Sequence, residues 1–188
     1  MNILIIGGAA SGKSELAEAL AVNFDGPRVY LATMNDEGDR EDYERIERHH
    51  QLRAGKGFST VECAQGLSEA IEGLDVAGAT VLLEDLGNLV ANELFLEDGT
   101  LLDEDELIWS VVHNIVSLEN GSEALIVVAN EVGADGLLYS EETADYVRVM
   151  GKLACALAAD FDVVIETVAG TPYIVKGAER FAEGVPVP

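Results

Sequence analysis

Gly7-Gly8-Ala9-Ala10-Ser11-Gly12-Lys13-Ser14 follows directly on the apolar run Ile3-Leu4-Ile5-Ile6 and leads into a helical pattern, Glu15 to Asn23. Strand, G-x-x-x-x-G-K-S and helix, in that order, make a phosphate-binding loop. Glycines let the backbone wrap tightly and keep side chains out of the anion's path. The loop N–H groups and the helix N-terminus then point at the phosphates. Lys13 is placed to reach the β- and γ-phosphates, and the Ser14 hydroxyl to ligate Mg²⁺. An eight-residue pattern alone also describes a glycine-rich turn. The strand before it and the helix after it favour nucleotide binding.

Outward from this loop, strand and helix patterns alternate. Strands are expected over residues 2–6, 28–32, 58–62, 79–83, 124–129, 162–166 and 173–175. Helices are expected over 13–23, 39–54, 67–74, 88–95, 104–119 and 141–159. In the fifth, Leu107, Ile108, Val111, Val112, Ile115 and Val116 form the apolar stripe. In the sixth, Tyr146, Met150, Leu153 and Leu157 point inward. Asp25-Gly26-Pro27, Glu97-Asp98-Gly99 and Gly170-Thr171-Pro172 read as turns. Residues 178–188 read as a loose tail. Such alternation predicts an α/β fold: a mostly parallel sheet with helices on both faces. The 188 residues suit one nucleotide-binding domain with one sizeable core.

The chain carries 35 acidic against 11 basic side chains, a formal charge of −24. Such a field repels nucleic acid, which needs a basic footprint. It also repels nucleotides at long range, so a nucleotide site here must depend on local donors and on Mg²⁺. No apolar run is long enough to span a membrane. Met1-Asn2 has no basic flank, and Ile3 to Ile6 is too short for a signal core, so the expected location is cytoplasmic. Cys63 and Cys155 form no C-x-x-C motif and read as buried or idle thiols. His49, His50 and His113 are too sparse for a zinc site.

Three further constellations carry chemistry. Val81-Leu82-Leu83-Glu84-Asp85 is an apolar strand ending in carboxylates, the form of the second nucleotide-site element in phosphate-loop enzymes. Glu84 is the favoured Mg²⁺ ligand and Asp85 the lesser candidate, although acids at a helix N-terminus are also favoured by its dipole. Arg45, His49 and Arg53, at i, i+4 and i+8, share one face of the charged helix. Nearby cations keep an imidazole neutral and nucleophilic, and guanidiniums grip phosphate oxygens. That face suits attack by histidine on a nucleotide α-phosphorus. It equally describes a solvated charged helix, and His50 competes for the role. Asn130-Glu131-Val132-Gly133 follows an apolar strand on the same rim as the phosphate loop. It suits a substrate hydroxyl or base edge, or a simple capping turn.

Taken together, the residues resemble the bifunctional adenosylcobinamide kinase / adenosylcobinamide-phosphate guanylyltransferase family of cobalamin biosynthesis. The match runs through Gly7-Gly8-Ala9-x-Ser11-Gly12-Lys13-Ser14, Tyr30-Leu31-Ala32-Thr33, Arg45-Ile46-x-x-His49-x-x-x-Arg53 and Thr60-Val61-Glu62. It continues with Leu82-Leu83-Glu84, Asn92 and Asn130-Glu131-Val132-Gly133, covering about residues 1–133. The resemblance implies a RecA-like phosphate-loop fold, a homotrimer, and two reactions. One phosphorylates the aminopropanol hydroxyl of adenosylcobinamide with ATP or GTP. The other transfers GMP from GTP to that phosphate through a histidine, by position His49. Carried over residue by residue, it places Thr33, Arg45, Arg53, Glu62 and Glu84 at the nucleotide. It places Asn92, Asn130 and Glu131 at the substrate.

The last third departs from the family pattern. Leu138 and Glu141 stand where a proline and an arginine are usual, and Val147-Arg148 where an Arg-Asp pair is usual. Gly151-Lys152-Leu153-Ala154 replaces a Gly-Arg-x-Asn segment, and Gly87 replaces a threonine. These changes bear on the kinase half-reaction and corrinoid specificity, and leave the histidine helix and phosphate loop untouched. Two rival functions fit the same loop: a phosphate-loop kinase of another small molecule, and a non-catalytic nucleotide-binding regulator.

Overall fold

The structure is a computed structural model and describes residues 1–35, 55–95, 103–134 and 136–182. Seven strands form one sheet: β1 (Asn2–Gly7), β2 (Arg28–Ala32), β3 (Phe58–Glu62), β4 (Thr80–Glu84), β5 (Ala124–Asn130), β6 (Val163–Val168) and β7 (Thr171–Lys176). Their order is β3-β2-β4-β5-β1-β6-β7. Every pairing is parallel except β6 with β7, an antiparallel hairpin. The helices are α1 (Lys13–Ala21), α2 (Leu67–Glu72), α3 (Leu86–Leu94), α4 (Glu104–Gly121), α5 (Glu141–Asp160) and α6 (Ala178–Ala182). This is the expected RecA-like α/β phosphate-loop architecture.

Central strands read as continuous apolar runs because both their faces are covered. Ile3 and Ile5 of β1, Leu82 of β4 and Ile126 and Val128 of β5 pack against Leu16, Ala17 and Leu20 of α1. The alternate residues Leu4, Val81, Leu83, Leu125 and Val127 join Leu89 of α3, Val111 and Ile115 of α4, and Met150 and Leu153 of α5. Among the described helices, α1 thus packs on one face of the sheet and α3, α4 and α5 on the other. Among the described residues, no helix is long and apolar enough to cross a membrane.

Three expectations are corrected. Asn114 and Leu118 complete the buried face of α4, while Val116 points outward. Val116 lies one residue past the fully buried Ile115, about 100° round the helix, beyond the buried stripe. Helix α3 starts at Leu86, two residues early, because the Asp85 side chain caps it by accepting from the Asn88 N–H at 2.6 Å. The start of the tail is helical, as α6. The expected helix over 39–54 and the turn over 97–99 lie outside the described residues. Cys63 is buried and Cys155 exposed, and burial, with Glu93 and Glu69 nearby, pushes the Cys63 thiol up to about 11. His113 stacks on Trp109 on the outer side of α4.

Candidate active site

The phosphate loop closes on itself. The Lys13 Nζ donates to the Gly8 carbonyl at 2.7 Å, and Gly12 caps α1 in the left-handed region at φ 94°. Gly7 is where β1 passes the neighbouring β6: a Cβ there would lie 2.4 Å from Thr167 Oγ1 and 2.7 Å from Ser11 Oγ. Any larger residue would push the loop off the sheet. Those two hydroxyls bond each other at 2.8 Å, both buried, and the Gly170 N–H donates to the Ser11 carbonyl at 3.0 Å. The loop is therefore braced from the β6–β7 hairpin. Burial lowers the Lys13 pKa, and the carboxylates of Asp85 and Glu84 work against that shift.

Ser14 and Glu84 meet across α1 and β4, the Ser14 hydroxyl donating to Glu84 Oε1. Glu84 Oε2 is buried and has no partner. Burial pushes the carboxyl up to about 7. The Ser14 hydrogen bond pulls it down, Asp85 and Glu18 raise it, and Lys13 lowers it. An orphaned carboxylate oxygen beside a hydroxyl is a donor set that fits Mg²⁺, which takes one or two protein oxygens and the rest from phosphates and water. No group of three or more His, Cys, Asp or Glu among the described residues makes a self-contained metal cage.

Asp85, next along the chain, joins three strand ends. Its Oδ1 accepts from the Asn88 N–H, its Oδ2 from Asn130 Nδ2 at 2.8 Å, and its carbonyl from Thr33 Oγ1 at 2.7 Å. Thr33 is fully buried there. Asn92 Nδ2 donates to the carbonyls of Thr33 and Ala64, at 3.0 and 2.9 Å. Glu62 and Glu84 both register with Ala32 of β2, so they end their strands at one level. The Glu131 N–H donates to the Gly7 carbonyl at 2.9 Å, fixing the start of the Asn130–Gly133 loop to the phosphate loop. Lys13, Ser14, Thr33, Glu62, Glu84, Asn92, Asn130 and Glu131 thus gather on one rim. Arg45, His49, His50 and Arg53 lie outside the described residues.

Two cavities flank the phosphate loop. One, of about 660 Å³, lies between Gly12, Glu15 and Leu16 on one side and Thr167 and Pro172 on the other. The second, of about 380 Å³, runs from Gly8 past Glu131 to Tyr146 of α5. Both are in the size range of small-molecule sites.

A sequence model of the family described as cobinamide kinase / cobinamide phosphate guanyltransferase matches residues 3–175. The chain belongs to this family. The bifunctional adenosylcobalamin biosynthesis protein CobP of Pseudomonas aeruginosa is 33% identical over 178 residues, covering 94% of this chain and 98% of its own. The protein of the same description, CobU, of Escherichia coli is 33% identical over 186 residues, covering 94% and 100%. Among solved structures, a Pyrococcus horikoshii protein, "Project ID PH0250", superposes with a TM-score of 0.53 at 12% identity, over 94% of this chain and 86% of its own. That likeness shows the fold.

Several departures from the family pattern have a structural reading. Gly87 is enclosed: a Cβ there would lie 2.8 Å from Tyr146 Oη, 3.2 Å from Asp85 Oδ1 and 3.3 Å from Asn130 Nδ2. The Tyr146 hydroxyl occupies that space and donates to the Gly87 carbonyl at 3.3 Å. Arg148 and Lys152 both pair with Glu104, at 2.9 and 2.7 Å, and so tie α5 to the start of α4. Val147 lines the smaller cavity. Nothing local in the sequence marks Thr167, and the helical pattern marks Tyr146 only as an inward-pointing residue. The sequence offers Asp85 as the lesser Mg²⁺ candidate or as an acid favoured at a helix start, and its carboxyl caps α3 and accepts from Asn130.

Proposed function

We propose that the chain carries out both family reactions: phosphorylation of adenosylcobinamide with ATP or GTP, and transfer of GMP from GTP to adenosylcobinamide phosphate. The observation behind this reading is the Ser14–Glu84 pair, with its one unpartnered carboxylate oxygen beside Lys13, in a chain of this family. Lys13 and the loop amides bind the phosphates and stabilise charge on the group in transfer. Ser14 and Glu84 would hold Mg²⁺, which neutralises phosphate charge when bound.

In the second reaction His49 is the nucleophile. Its imidazole attacks the α-phosphorus of GTP, the bond to the β-phosphate oxygen breaks, and pyrophosphate leaves with that electron pair. An oxygen of the cobinamide phosphate then attacks the same phosphorus and displaces the imidazole. Arg45 and Arg53 clamp the phosphates, Thr33 and Glu62 serve the nucleotide, and Asn92, Asn130 and Glu131 serve the corrinoid. The same reading makes the protein a cytoplasmic homo-oligomer, a trimer by family resemblance, with no nucleic acid partner.

The test is incubation with α-³²P-GTP. Acid-labile, alkali-stable label on the wild type is expected, lost in His49→Ala with GTP binding kept, and retained in His50→Ala. An unlabelled wild type refutes the guanylyl half and leaves a phosphate-loop kinase.

A further inference from the structure

The two cavities define a direction for the bound nucleotide. In a phosphate loop the lysine reaches the β- and γ-phosphates, and the amides at the helix start hold the α/β end. Here the lysine tip lies at the Gly8 carbonyl, so the Gly8 end of the loop is the terminal-phosphate end. The Gly12 end, at the start of α1, is the nucleoside end. The larger cavity is walled by Gly12 and Glu15, on the nucleoside side. The smaller is walled by Gly8, on the side where the γ-phosphate is handed over.

That smaller cavity has the chemistry of an alcohol-binding slot. Tyr139, Thr143 and Tyr146, three hydroxyl-bearing residues, line it, and Val147 packs against Gly133 at its wall. Among the described residues that line it, the carboxylate is Glu131. The Glu131 backbone is anchored to Gly7, so the side chain stands beside the phosphate loop, and it is exposed to the cavity and solvent. The neighbouring carboxylates are engaged elsewhere: Glu84 with Ser14, and Asp85 with the Asn88 N–H and the Asn130 side chain. At about 380 Å³ the slot is near the lower end of the usual 300–1,000 Å³ for ligand sites, so it takes an arm of a large molecule and not its bulk.

We propose that this cavity receives the hydroxyl-bearing arm of the acceptor and that Glu131 is the general base of the phosphoryl-transfer step. The inference rests on the kinase half of the proposed function. The acceptor oxygen forms a bond to the γ-phosphorus, and the bond from that phosphorus to the β-phosphate oxygen breaks. The nucleoside diphosphate leaves with the electron pair, and the acceptor's proton passes to the Glu131 carboxylate. Tyr146 holds the wall of the slot against Gly87 and keeps its own proton, since burial and the Asp85 charge push its hydroxyl up to about 12.

Glu131→Gln and Glu131→Asp test the assignment, with two reactions measured separately: ATP with adenosylcobinamide, and GTP with preformed adenosylcobinamide phosphate. Glu131→Gln should lower kcat of the first by about 10²–10⁴-fold and flatten the acid limb of its pH profile. ATP affinity should stay within about twofold, guanylyl transfer should fall far less than the kinase step because it loses only a corrinoid contact, and Glu131→Asp should recover part of the kinase rate. A Glu131→Gln protein with near wild-type kinase kcat and an unchanged pH profile overturns the assignment. So does equal loss of both reactions and of ATP binding, which would make Glu131 a structural loop residue. A wild type that phosphorylates no cobinamide overturns the kinase reading itself, and is told apart because it needs no variant.

Discussion

Glu84→Gln separates what the site costs the fold from what it gives the ligand. The Glu84 carboxyl is raised from its ordinary 4.5 to about 7, chiefly by burial. The folded protein therefore holds this proton more tightly than the unfolded chain. From pH 4.5 to 7 the unfolded chain has released it and the folded one has not, so stability falls as pH rises, and above about pH 7 the whole cost stands. At about 1.4 kcal/mol for each pH unit of that rise, the cost is on the order of 3 kcal/mol. Glutamine keeps an acceptor for Ser14 and removes the charge, but leaves a buried amide hydrogen-bond donor without a fixed partner. The ligand-free variant should therefore melt a few degrees above wild type at pH 8, since about 1 kcal/mol moves Tm by roughly 2–4 °C in a chain of this size. At pH 4.5 the gain should vanish. Differencing variant against wild type removes the repulsion shared by the other acidic groups. Adding Mg²⁺ with GTP should reverse the order at pH 8, because only wild type presents the carboxylate, and a ligand at about 100 times its Kd adds roughly 2.7 kcal/mol. Calorimetry decides: a ligand-free variant that melts at or below wild type at pH 8, or a gain equal at both pH values, refutes the reasoning.

Two further outcomes follow from contacts on the same rim. Gly87→Ala should destabilise by about 1–3 kcal/mol, because the new Cβ meets the Tyr146 hydroxyl. With Tyr146→Phe added, the closest approach is relieved while the tight ones to Asp85 Oδ1 and Asn130 Nδ2 remain, so part of the cost should persist. A double-mutant cycle by urea unfolding should still give a coupling above about 1 kcal/mol, and additivity would contradict the enclosed geometry. Thr167→Val leaves Ser11 Oγ buried without its partner, which should cost about 1–3 kcal/mol and weaken nucleotide binding several-fold by calorimetric titration. An unchanged affinity and Tm would show that the β6–β7 brace does not order the loop.

Much of the architecture was legible because its signals are local. The phosphate loop needs eight consecutive residues and its flanking strand and helix, and the buried strands announce themselves as unbroken runs such as Ala124-Leu125-Ile126-Val127-Val128-Ala129. The misreadings were at edges. Val116 continues an apolar pattern past the width of the buried stripe, and the same kind of pattern puts the helix start at Asn88 because the capping role of Asp85 depends on the turn it closes.

By itself the sequence determined the α/β class, the phosphate loop, the Glu84 strand end and the family likeness, since each is carried by spacing along one stretch of chain. Only the tertiary structure decided that Glu84 keeps an unpartnered oxygen and a raised pKa, that Asp85 joins three strand ends, and that Thr167 braces the loop. It alone decided that Tyr146 fills the space above Gly87 and that a cavity opens on each side of the loop. Those facts depend on a sheet order that sets β5 and β6 on either side of β1, so the partners meet across 45 to 156 residues of chain. Burial and hydrogen-bond satisfaction are properties of that assembled neighbourhood, and no local window of sequence contains them.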